Sequence, residues 1–285
     1  MQSSISQEDL KTYLIGIGLP ADITLSVSVE TLYLLTNKQL IYTFYQNADA
    51  HLKESKPISL EFVDILQRLC VQKRGGLCYE HELLLYYVLK HIGFNVELIR
   101  CFVQEAGPYN PDYPTTHGFM HVKIQDEIFL IDIGFGVRSL RYPIKVDFQN
   151  LNNSHDLFPF EHFRITENET LYQLQHLIDG KWVTCYHFFK PIRFQTLEEI
   201  KHDYYNFLTT KQFLVGRDNR FQICKNTESG KIQYFWFRLE QKFTAFKKIH
   251  NFDKSTKIEF ATYEELKEDV RQEIGVILPD RNLIR

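Results

Sequence analysis

The chain has 285 residues, 44% hydrophobic and 14% aromatic, enough to bury a substantial core and to form two or three subdomains. Its formal net charge of -3, with acids and bases mixed throughout, lacks the basic footprint of a nucleic-acid binder or of a protein held to an acidic membrane surface. A small molecule is the expected partner, with no nucleic acid and no membrane. The amino terminus, MQSSISQEDLKTYL, has no basic region before its first apolar run, and Pro20, Asp22 and Glu30 break that run before it could span a bilayer. A soluble, cytoplasmic protein is expected. Cys70, Cys78, Cys101, Cys185 and Cys224 are irregularly spaced with no CxxC pair, which predicts neither a disulfide framework nor a zinc site.

The first third reads as helical. Leu10, Tyr13 and Leu14 share a face, apolar residues recur at helical spacing from Val29 to Phe44, and a third helix is predicted over Phe62 to Cys70. In RGGLCYEHELLLYYVLKHIGF, residues 74–94, two glycines precede an apolar-rich helix that Gly93 terminates, placing Cys78 in its first turn. Strands are predicted over Val96–Val103, Phe119–Ile124, Ile128–Ile133, Thr170–Leu177 and Trp182–Phe188, the last two joined by the hairpin signal Asp179-Gly180. Short strands at this spacing suggest a barrel or curled sheet, and residues 107–116 (GPYNPDYPTT) read as a long loop leading to His117. Capping boxes at Thr196/Glu199 and Thr262/Glu265 start two further helices, through Tyr205 and up to Gly275. Between them, Ile232 to Leu239 and Phe243 to Ile249 read as strand-like runs, the first packed on both faces.

Acyl transfer through sulfur needs a thiolate, and a free cysteine with a pKa of about 8.5 is mostly protonated at neutral pH. The first turn of a helix offers Cys78 unpaired N–H groups and a positive dipole end, and Gly75 and Gly76 are expected to permit a sharp turn with room for substrate beside the sulfur. An imidazole that takes the thiol proton would complete the activation. His81, three residues on, has no fixed group to orient it and is expected at the surface or core edge. His117 is better placed, because a hairpin to Asp132 brings a carboxylate alongside it. His121 shares its strand face, so geometry leaves both open. The bland alternative for Cys78 is an inert, buried thiol.

Arg74-Gly75-Gly76-Leu77-Cys78-Tyr79-Glu80, Thr116-His117 and Asp132-Ile133-Gly134-Phe135-Gly136, at family spacing of 39 and 15 residues, together resemble the arylamine N-acetyltransferase family. The resemblance runs through most of the chain and selects His117 over His121. It implies an α+β fold with a helical amino-terminal domain (1–95), a β-barrel domain (96–195), an α/β lid (196–285) and a cysteine-protease-like catalytic core. Ping-pong transfer of an acetyl group is implied, from acetyl-CoA as cosubstrate to a small aromatic amine or hydrazine, without metal or prosthetic group. Cys78 would carry the acetyl group, His117 act as base and thiolate partner, and Asp132 orient it. Phe44 and Phe135 would line the acceptor pocket, and Val103, Tyr113, Pro114 and Thr116 would lie near the CoA arm. On composition alone the two phenylalanines read as core aromatics.

Two segments depart from the family pattern. Where relatives carry Pro-Phe-Glu-Asn-Leu, this chain has Thr43-Phe44-Tyr45-Gln46-Asn47, which removes an acidic partner for Arg74 and leaves Glu80 or another carboxylate to balance it if it is buried. The lid reads Asn206-Phe207-Leu208-Thr209-Thr210-Lys211-Gln212 in place of a proline-serine-phenylalanine pattern, which bears on donor preference. Two other functions fit the same residues: a cysteine hydrolase or amide synthase using a different acceptor, and a binding protein that retained the scaffold.

Overall fold

The computed structural model describes residues 5–52, 59–103, 115–151, 153–209, 220–237 and 243–280. Helix α1 (Gln7–Gly16) starts at a reciprocal cap in which the Ser6 hydroxyl accepts the Asp9 N–H at 3.1 Å and the Asp9 carboxylate accepts the Ser6 N–H at 3.2 Å. Helix α2 (Val29–Tyr42) is capped by Ser28 and ends two residues before the predicted Phe44. Thr43 turns to an extended backbone while its hydroxyl donates to the Gln39 carbonyl at 2.7 Å, and Phe44–Gln46 form strand β1 instead. Helix α3 (Phe62–Leu66) continues as a wider π turn through Gln67–Val71. Helix α4 (Cys78–Ile92) is buried along most of its length and stops at Gly93, whose φ of 105° few other residues would adopt.

The strands form two antiparallel sheets. The curled, barrel-like one contains β2 (Asn95–Val103), β3 (His117–Ile124), β4 (Glu127–Ile131), β5 (Ile144–Val146), β6 (Ser154–Phe158), β7 (Glu161–Glu167), β8 (Leu171–Ile178) and β9 (Lys181–Phe189), in the order β5-β4-β3-β2-β9-β8-β7-β6. A short β10 (Phe194–Gln195) pairs with β2. The five strands expected in this region are present with slightly moved ends, and β5, β6 and β7 add to them.

After α5 (Leu197–Thr209) comes a five-stranded sheet of β11 (Arg220–Thr227), β12 (Gly230–Phe237), β13 (Thr244–Asn251) and β14 (Lys254–Phe260), with β1 on its edge beside β11. Helix α6 (Tyr263–Ile274) starts at its predicted Thr262 cap and covers this sheet. Among the described residues, no helix is long and apolar enough to cross a membrane.

Three apolar clusters fill these layers. The first joins α1 to α5 with the faces of β2, β3 and β4 that carry Val96, Leu98, Met120, Val122 and Ile131. The second lies inside the curled sheet around Phe119, Phe163 and Tyr186, and the third lies between the five-stranded sheet and α6. A buried ionic cluster ties the sheets together. Glu161 takes Arg141 at 3.2 Å and Lys231 at 3.1 Å, while Arg141 also donates to the carbonyls of Thr227 and Gly230. Lys231 donates to the Val137 carbonyl as well, at 2.9 Å, which anchors the turn following Asp132.

Candidate active site

The loop before α4 is fastened by backbone bonds. Gln46 donates to the Gly76 carbonyl at 2.9 Å and Gly76 donates back to Phe44 at 3.2 Å. Gly75 has a φ of 72°, and a Cβ there would lie 2.3 Å from the Phe44 ring. The space freed by the two glycines is therefore taken by Phe44, Leu69 and Glu80, not left for substrate as expected. Glu80 accepts the Leu77 N–H at 2.7 Å, and Cys78 follows as the first residue of α4. Its sulfur, largely buried, lies 3.9 Å from the Thr116 carbonyl. The loop that carries Cys78 thus meets the start of β3.

His117 opens β3 and Asp132 directly follows β4, the adjacent strand. Hairpin geometry brings the His117 Nε2 to 2.9 Å from Asp132 Oδ2, with both residues buried. That bond leaves Nδ1 as the second ring nitrogen, buried and without a hydrogen-bond partner. Burial opposes charging of the imidazole, but the Asp132 carboxylate and the neighbouring Cys78 thiol outweigh it and hold His117 well above its usual range. Phe135 packs 4.8 Å from the imidazole and Tyr186 5.6 Å, centroid to centroid.

Two groups at this site carry no motif. Tyr186 is buried beside the His117 ring, and burial and the nearby Asp132 carboxylate raise its pKa well above the usual value. Glu82, one turn after Cys78, accepts the Gly134 N–H at 2.7 Å, and the same N–H lies 3.2 Å from Asp132 Oδ1. Burial, with the neighbouring Asp132, lifts the Glu82 carboxyl well above the usual carboxylate range. The i+4 spacing from Cys78 was the available signal for Glu82, since it puts both on one helix face. Gly134 lets the layers meet: a Cβ there would stand 2.6 Å from the Cys78 carbonyl oxygen.

The remaining candidates separate. His81 is fully buried, not at the surface or core edge: it bonds the Thr43 hydroxyl at 3.2 Å and the Phe44 carbonyl at 3.0 Å, and burial pushes it down to about 4. His121 sits further along β3, edge-on to Phe194. Arg74 is half exposed and pairs with Asp49 at 3.0 Å, whereas Glu80 pairs with Arg68 at 2.8 Å. The acidic partner for Arg74 is thus Asp49, not Glu80. Phe44 lies in the third core over Gly75, while Phe135 faces the imidazole. Val103 ends β2 opposite Tyr186. Tyr113 and Pro114 lie outside the described residues.

The family described as N-acetyltransferase matches residues 28–284. An uncharacterised acetyltransferase of Bacillus subtilis is 31% identical over 134 residues, 47% of this chain and 50% of that one. The arylamine N-acetyltransferase of Escherichia coli is 27% identical over 180 residues, covering 63% of this chain and 59% of that protein. These matches span about half the length of the curated relatives. The structure of Mycobacterium marinum arylamine N-acetyltransferase in complex with CoA superposes with a TM-score of 0.74 at 19% identity, covering 94% of this chain and 92% of that one. With one family spanning nearly all of its length and sharing its fold, this chain belongs to the arylamine N-acetyltransferases.

Proposed function

We propose that the protein transfers an acetyl group from acetyl-CoA to a small aromatic amine or hydrazine, with Cys78 as the acetyl carrier, His117 as acid and base, and Asp132 as its orienter. One observation carries this reading: Asp132 holds Nε2 of His117, which leaves the ring's other nitrogen, Nδ1, for the neighbouring Cys78 thiol at the start of α4. In the first half-reaction the thiol proton passes to Nδ1 and sulfur attacks the acetyl carbonyl. The carbon–sulfur bond to CoA breaks, and the departing CoA thiolate takes the proton from the imidazolium. In the second half the amine nitrogen attacks the Cys78 thioester, the bond to Cys78 breaks, and His117 takes the amine proton and returns it to the Cys78 sulfur.

Phe135, beside the imidazole, gives a flat acceptor a ring to pack on, whereas the buried Phe44 supports the loop that carries the sulfur. Val103, Tyr113, Pro114 and Thr116 are our candidates for contacts along the CoA arm. We place the enzyme in the cytoplasm, with small molecules as its partners and its domains dividing near residues 95 and 195. The named activities of the relatives and the CoA bound by the Mycobacterium marinum protein support the donor and acceptor classes.

The test is to incubate the protein with acetyl-CoA alone and find one acetyl group on Cys78 by mass spectrometry, then to release it with an aromatic amine, using Cys78→Ala as the blank. A folded protein with a free thiol that takes no acetyl group would refute the assignment. Discharge of the acetyl-enzyme by water alone, across a panel of amines, would turn the reading to a hydrolase.

A further inference from the structure

Glu82 lies within the site, and the reaction as written does not use it. It sits one turn beyond Cys78 on α4 and is 2% exposed. Its Oε1 accepts the Gly134 N–H, but its Oε2 is buried with no donor directed at it. The Asp132 carboxyl is its neighbour, since the same Gly134 N–H lies 2.7 Å from Glu82 Oε1 and 3.2 Å from Asp132 Oδ1. Facing this pair are Cys78 from the same helix, His117 from β3, Tyr186 from β9 and the Cys101 thiol from β2. Of these, only His117 brings a positive charge to the pocket. Two ionised carboxylates sharing one N–H in a buried pocket, opposite a single imidazolium, repel each other strongly, and the pair is relieved when one of them holds a proton.

Asp132 is the member bound to donors: the His117 Nε2–H and the Gly134 N–H. A carboxylate has about four lone-pair sites, so it has room for a further donor. We propose that Glu82 is a positioning residue of the catalytic set, a neutral carboxylic acid whose Oε2–H donates to Asp132 and fixes it toward His117. The inference rests on the reading of Cys78, His117 and Asp132 given above. Its consequence for the reaction concerns the imidazolium. A second anion would tighten the hold of His117 on its proton, which must be delivered to departing CoA, whereas a neutral donor orients Asp132 without adding charge.

Wild type, Glu82→Leu and Glu82→Gln are compared in single-turnover acetylation of Cys78 by acetyl-CoA, and the His117 imidazole is titrated by NMR. Removing the donor in Glu82→Leu slows acetylation by roughly ten- to a hundredfold, and Glu82→Gln, which restores a neutral donor, recovers most of that loss. The His117 midpoint stays in place in Glu82→Gln. If Glu82 were ionised, removing its charge would lower that midpoint by about one unit or more, which overturns the proposal. Infrared spectra at neutral pH provide a second readout. A protonated carboxylic acid band that shifts when glutamate is labelled with carbon-13 and is missing in Glu82→Gln supports the proposal, and its absence from the wild type overturns it. Failure of the wild type to take any acetyl group would overturn the underlying catalytic reading instead, since titration and infrared spectra decide the state of Glu82 separately.

Discussion

Glu80 and Glu82 stand two residues apart at the start of α4 and are almost completely buried, yet their surroundings balance them differently. Glu80 faces the side of β1 and α3. Burial raises its pKa, but Arg68 at 2.8 Å and the Leu77 N–H pull it back. Arg68 in turn meets Asp49, which also takes Arg74, so that side of the helix is a network of opposite charges. Glu82 faces the catalytic side, where its charged neighbours are Asp132 and His117. One stretch of helix thus shows two ways of keeping a carboxyl in a dry interior: beside a guanidinium, or with a proton of its own. The cationic solution holds the nucleophile loop. On the other side, the positive charge beside Glu82 among the described residues is that of His117.

The contrast can be broken at several points. On the catalytic side, Asp132→Asn removes the anion that orients His117 and should slow acetylation of Cys78 by about a thousand- to ten-thousandfold, measured in single-turnover assays. Near-normal rates would detach Asp132 from the chemistry. On the other side, Arg68→Met strands Glu80 and Asp49 without that cation and should cost about 3–5 kcal/mol of stability in urea unfolding. A variant as stable as wild type would show that the network does little. Gly134→Ala drives a methyl group into the Cys78 carbonyl and should cost about 1–3 kcal/mol, with weaker acetylation in the folded fraction.

The smallest effect is also the sharpest discriminator. Glu82 has a raised folded pKa, so the folded protein keeps a proton that the unfolded chain releases above about pH 4.3. Its contribution is full below that pH and is lost as pH climbs toward the folded value. Glu82→Gln removes this slope, so its stability should gain on wild type as pH rises, in denaturant titrations at stepped pH. His117, also raised, tilts both proteins the same way, so the difference isolates Glu82. A variant whose stability falls relative to wild type as pH rises would contradict a protonated Glu82.

The meeting of Cys78, His117 and Asp132 was legible because the family motifs occur at fixed separation, and the helices because they carry caps and apolar faces. What escaped has physical causes. Strand β14 is almost wholly exposed at a sheet edge, so KSTKIEF shows no alternation of polar and apolar residues. Strand β6, SHDLF, is polar at its start and interrupted by a register shift, which hides its period. At Phe44 the apolar pattern of α2 runs on unbroken, and only the pairing with β11 makes it a strand. Glu82 looked like an ordinary polar residue because nothing local reports that its helix face meets the turn after β4.

Strand β1 has a mechanical consequence. Its one edge is bonded to β11 through Phe44, Tyr45 and Gln46, and its other side exchanges backbone bonds with Gly76, two residues before Cys78. The five-stranded sheet is therefore no free-swinging flap: carrying it away from the sulfur would pull on the very peptide that presents that sulfur. Force applied to this sheet is transmitted to the thiol through a few covalent bonds, so the posture of one registers in the other.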